Sequence, residues 1–208
     1  MLAVKRYLVI AMDKIIRTRR SGPRTFDRGE AIDTAMRLFW RHGYEGVSLN
    51  DLVSAIGIAP PSLYAAFGSK AGLYREALDH YFGLPGALSD LPAAATLTET
   101  VETLLRNAVD AVTDPGGEKG CMVSSGMLQS ASAHAELALE LAKRRSGMHD
   151  HIAGILTRWM DHDRAVSLAR YLLAVLQGLS VQARDGASKE ELEQVVYQVV
   201  AGVRAIEP

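Results

Sequence analysis

The chain has 208 residues, a net charge of −1 and 48% apolar residues, enough for a small domain beside a larger one and for a packed core. Its single cysteine, Cys121, excludes an intramolecular disulfide framework and fits a reducing cytoplasm. The apolar run at 7–12 is too short to cross a bilayer or to form a signal-peptide core, and no segment reads as membrane.

The near-neutral total hides an uneven distribution. Residues 1–28 carry eight Lys and Arg against two Asp, a surplus of six, so the other 180 sum to −7. Residues 1–22 read as a basic arm suited to phosphate attraction, with a solvated tail as the alternative. Met12 is a second candidate start, which would leave 14–20 as the arm. Thr25 is placed to cap a helix from about 26 to 42. Its apolar face is Ile32, Ala35, Met36, Phe39 and Trp40, and Gly43 closes it.

Residues 48–67 spell a helix-turn-helix. Ser48 and Asp51 form a capping pair, and Leu49, Leu52, Val53 and Ile56 share one face of a short helix. Gly57 breaks it where a positive φ is needed, and Ile58 plugs the turn. Pro60 and Pro61 suit a loop and the first position of a second helix, 62–67, with Leu63 and Phe67 facing inward. A short helix, a glycine turn and a second helix with an exposed N-terminal end is the geometry that enters a major groove.

Ser69 caps a fourth helix, 70–83, and a Gly/Pro-bearing connector at 83–92 marks a domain boundary. Thr96 and Glu99 open a helix to about 113, which Asp114-Pro115-Gly116-Gly117 ends. A shorter helical piece is expected from Cys121 and a long helix from about 134 to 160. From 165 to 184, Leu168, Leu172, Val175, Leu176 and Leu179 form an apolar stripe among Ala169, Ala174 and Gly178. Ser188 and Glu191 cap a last helix whose apolar set is Leu192, Val195, Val196, Val199, Val200 and Val203. The chain reads as all-α, with about nine helices. An N-terminal helix-turn-helix domain covers 23–83 and a helical body covers 84–208.

The run 62–70, with Leu73, Tyr74 and Ala77, together with Ala31, Ala35, Leu38, Phe39, Gly43 and Tyr44, resembles the DNA-binding domain of TetR/AcrR-type transcriptional regulators. The resemblance is close over 24–82 and one of layout beyond. It implies a dimeric, ligand-responsive repressor that binds a palindromic operator in double-stranded DNA and is released by a small, largely apolar effector. The DNA-contacting positions it implies are Arg24, Ser48, Leu49, Asn50, Pro60, Pro61, Ser62, Tyr64, Ala65 and Lys70. Of these, Lys70 matches the family's phosphate-contacting lysine and Tyr64 its phosphate-bonding tyrosine. Ala66 departs from the histidine often found there, and Ser62 alone offers a polar side chain at a reading position.

The same resemblance places a four-helix dimer interface on the last two helices. The residues chosen for it are Leu168, Leu172, Val175, Leu179, Leu192, Val196, Val199 and Val203, with an ordinary core stripe as the alternative. Cys121, Met122, Met127, Met148, Trp159 and Tyr171 are candidate lining for an effector pocket, though each residue type is more often plain core. Relatives that begin a helix with Gly-Cys include sensors of electrophiles or oxidants, so a thiol-switch repressor using Cys121 is the rival reading. A helical enzyme and an architectural DNA binder stand farther off. No catalytic constellation, cofactor loop or metal set stands out, and His149, His151 and His162 read as solvated.

Overall fold

The computed structural model describes residues 26–86, 88 and 96–206. Among them are eight α-helices: α1 (Arg28–Gly46), α2 (Leu49–Ile56), α3 (Pro60–Phe67), α4 (Lys70–Phe82), α5 (Leu97–Thr113), α6 (Ala135–Leu156), α7 (His162–Arg184) and α8 (Lys189–Arg204), with a 3-10 turn at Ser132–His134. The capping residues do what their chemistry suggests. Ser48, Thr96 and Ser188 each close a reciprocal box with the acid three residues on, and Ser69 accepts from the Gly72 amide.

Three local expectations are corrected. α1 is capped by Asp27, whose carboxylate accepts from the Glu30 amide, while Thr25 lies outside the described residues. Gly43 kinks α1 at φ 72° rather than ending it, and a further turn carries Tyr44 into the core. No helix begins at Cys121. Residues 122–130 are a run of turns, in which the Ser125 hydroxyl bonds to the Cys121 carbonyl.

Two hydrophobic cores result. The first joins α1 to α4 around Phe39, Leu52, Leu63, Leu73 and Tyr74. The Tyr74 ring stands edge-on to Phe39 at 4.9 Å, and burial pushes its phenol up to about 12. This core is completed by Met122, Val123 and Met127 from the turn run and by Leu137 and Leu141 of α6. The second core lies among α5, α6, α7 and α8. α7 is long and apolar enough to cross a membrane by length and composition, but Leu168, Leu172, Leu176 and Leu179 on its inner face pack inside this core.

That packing overturns the choice of partner face. Leu168, Leu172, Leu179, Leu192, Val196, Val199 and Val203 are buried inside the protomer, and Val175 packs partly buried against the same cluster. The stripe belongs to the protomer's own core. An apolar stripe in sequence marks the face that leaves water, but it does not say whether the other wall is this chain or a second one.

Candidate nucleic-acid interface

The helix-turn-helix is held from within. Leu52 and Leu63 are fully buried, Phe67 packs beneath them, and Gly57 at φ 76° lets its amide return to the Val53 carbonyl at 3.0 Å. Pro60 and Pro61 occupy the first turn of α3, where their missing amides cost nothing. With Leu63 and Phe67 turned inward, Pro60, Pro61, Ser62, Tyr64 and Ala65 are left exposed on the opposite face. Asn50 is exposed and Leu49 half-buried at the start of α2, and the Ser48 hydroxyl already accepts from the Asp51 amide. Arg24 lies outside the described residues.

Lys70 sits at the start of α4 with its ammonium 4.1 Å from the centre of the Tyr44 ring. Burial lowers its pKa, and the Glu45 and Asp51 carboxylates pull the other way. Its neighbours among the cations are committed elsewhere. Arg37 bonds Asp33, Arg41 bonds Glu118 through two nitrogens, and Arg75 bonds Glu140 the same way. Arg28, counted above with the arm, grips both oxygens of Glu76 and the Ala66 carbonyl while lying over Phe67. It is a brace between α1, α3 and α4. Among the described residues of 26–86, Lys70 is thus the one Lys or Arg that forms no salt bridge. Sequence reasoning missed the brace because Glu76 lies 48 residues from Arg28.

The six candidate pocket residues are not brought together. Met122 and Met127 are buried in the first core and Met148 packs on it, whereas Trp159 packs on the second. Tyr171 is half-exposed on the outer side of α7. Cys121 alone touches both cores. A groove of about 740 Å³ lies instead on the outside of α5, lined among others by Pro85, Thr103, Asn107, Asp110, Asp114 and Lys189. His149 is also corrected. It is buried, with Nδ1 2.9 Å from Asp150 and Nε2 3.2 Å from the Val166 carbonyl, while His151 and His162 are exposed.

An all-α chain that presents a braced helix-turn-helix from a small domain beside a larger helical body defines a two-domain DNA-binding regulator. Residues 31–77 match the family described as bacterial regulatory proteins, tetR family. Over 190 residues the chain is 33% identical to the HTH-type transcriptional repressor ComR of Escherichia coli, covering 86% of this chain and 90% of ComR. It is 34% identical to the repressor BdcR of the same organism, over 82% of this chain and 85% of BdcR. A cysteine-substituted form of the regulator CifR, solved with 26-bp operator DNA, superposes with a TM-score of 0.80 at 38% identity, over 86% of this chain and 98% of that one. This chain belongs to the TetR family of transcriptional regulators.

Proposed function

We propose that the protein is a cytoplasmic homodimeric repressor that binds a palindromic operator and is released by a small, largely apolar molecule, with no catalytic activity of its own. The observation that carries the DNA-binding part is the exposed face of α3 beside Lys70, a cation held in no salt bridge. Ser48, Leu49, Asn50 and Tyr64 are assigned to the phosphate backbone with Lys70. Pro60, Pro61, Ser62 and Ala65 are assigned to the groove floor, where they offer mostly apolar contact to thymine methyls and shape. Arg24 would add a minor-groove contact from the arm.

The partner face moves to the outer sides of α7 and α8. Residues 171–182 and 194–203 contain no charged side chain, yet their outer faces carry Tyr171, Ala174, Val181, Tyr197 and Ala201 in the open. Long uncharged faces with small residues at helical spacing favour close packing on a second copy. The effector is assigned to the helical body by family likeness. The test is selection of binding sites from random duplex DNA by the full-length chain, followed by footprinting. A protected palindrome spanning two successive turns supports the reading. Bending without sequence preference would favour an architectural protein instead.

One observation keeps the thiol reading in play. The Cys121 sulfur accepts from the Ser124 amide at 3.4 Å and lies in hydrogen-bond contact with the Tyr81 hydroxyl, so two donors face it. Without a helix behind it, the dipole argument for a reactive thiolate is gone. We expect slow alkylation at neutral pH and unchanged operator binding afterwards. Fast alkylation that releases DNA, abolished in Cys121→Ser, would replace the small-molecule reading with the redox one.

A further inference from the structure

The segment between α5 and α6 does more than connect. Its stretch 116–121 is stitched to α1 on one side. Arg37 donates to the Gly116 carbonyl at 3.4 Å, Arg41 holds Glu118, and the buried Trp40 indole donates to the Gly120 carbonyl at 3.0 Å. The other side is stitched to the body. The Gly120 amide donates to the Val112 carbonyl of α5 at 3.2 Å, and the Cys121 amide donates to the fully buried Ser180 hydroxyl of α7 at 2.7 Å. Arg184, one turn further along α7, donates directly to the Trp40 carbonyl of α1.

Gly120 sits at the centre of this clamp with φ +77°. A Cβ there would lie 2.7 Å from the Arg184 Cγ and 2.8 Å from the Ser180 carbonyl. Only glycine lets the segment pass between the indole and α7 at that distance. The second link between the domains is of another kind. It runs along α4 and α6, where Leu137 and Leu141 are buried in the first core and the partly exposed pairs Arg75–Glu140 and Arg144–Asp79, which water and salt weaken, lie at its edge. The clamp is built of directional hydrogen bonds, whereas the α4–α6 link is built of non-directional apolar contact and solvated ion pairs that can slide, so the clamp is the axis about which the DNA-binding domain is held.

The geometry points to Trp40, Gly120, Ser180 and Arg184 as positioning residues that set the angle of the helix-turn-helix against α7. Because α7 carries the face assigned above to the second copy, that angle sets the distance between the two reading helices. This rests on the dimeric-regulator reading. Two α3 helices must lie about 34–36 Å apart to enter successive major grooves. A rotation of either domain about the clamp is multiplied by the length of α1 and lost affinity follows.

The test uses the full-length chain with a spin label on a non-natural amino acid in place of Ser54, which is exposed on α2 and leaves Cys121 untouched. Inter-protomer distances are measured in free protein. Affinity is measured on a palindrome selected from random DNA, and on the same site with one or two base pairs inserted at its centre. We expect one narrow distance distribution and a steep penalty for insertion in the wild type. Gly120→Ala and Arg184→Ala should broaden or shift the distances, and the penalty per inserted base pair should shrink severalfold. Arg184→Lys, which still donates to the Trp40 carbonyl, should restore both. Arg184 is exposed, so its variants remain informative where Gly120→Ala fails to fold. Folded, dimeric variants with wild-type distances and an unchanged insertion penalty would overturn the clamp. A wild type with no inter-protomer distance would remove the dimer reading and the clamp with it. A wild type with a narrow distance and no selected DNA would fail as a regulator, and the label distances alone would then decide the clamp.

Discussion

A cation that forms no salt bridge, where the other described cations of its domain all do, is available to a phosphate. Lys70 holds that place, while Arg28, Arg37, Arg41 and Arg75 are spent on Glu76, Asp33, Glu118 and Glu140. Lys70→Ala should weaken binding to every duplex by a similar factor, because a phosphate contact positions without reading bases. The plot of log affinity against log salt should lose about one unit of slope. Tyr64→Phe removes a neutral donor and should lower affinity with the slope kept. Titration of two unrelated duplexes across a salt series checks both. A changed sequence preference at constant slope would place Lys70 at the base edges instead. At this scale the turn glycine, the capping pairs and the inward Leu63 and Phe67 were legible, because each follows from local backbone chemistry. The Arg28 brace and the buried His149 were not, since their partners Glu76 and Val166 are distant in sequence.

Helix positions were legible wherever a 3.6-residue period coincided with a cap, as in α2, α4, α5 and α8. The stretch after Gly120 misled because apolar Met122, Val123 and Met127 suggest a helix face, whereas they plug the first core from a chain of turns. The last two helices misled more instructively. Their stripe was correctly seen as a face that leaves water, but α5 and α6 supply the other wall. Two glutamate substitutions separate the faces. Val199→Glu buries an unpaired carboxylate inside the protomer and should unfold the body or cost several kcal/mol of stability. Gly178→Glu points into open space on the outer side of α7. The helix content of that variant should be nearly wild type, yet it should sediment as a monomer and lose specific operator binding. Sedimentation velocity with circular dichroism distinguishes the two. A Gly178→Glu dimer of wild-type affinity would move the partner contact off α7.

Across the whole molecule, charge is arranged so that long-range attraction comes from one end. The described DNA-binding domain offers little beyond Lys70, and the remainder after residue 28 is net acidic by seven. If the reading helices must approach phosphates from solution, the steering field has to come from the first 28 residues. Deleting 1–20 removes Lys5, Arg6, Lys14, Arg17, Arg19 and Arg20 together with Asp13, a loss of five net charges per protomer. Both described cores are built by residues from 26 onward. The truncated protein should therefore keep its helical circular dichroism and its melting temperature. Its operator affinity should fall steeply at low salt and much less at high salt, because each lost phosphate contact subtracts about 0.9 from the salt slope. Association should slow more than dissociation quickens, the signature of lost steering rather than lost docking. Stopped-flow association rates at two ionic strengths read this directly. If truncated and full-length chains associate at the same rate and with the same salt slope, the basic arm is a solvated tail and Lys70 with the α3 face carries the whole phosphate contact.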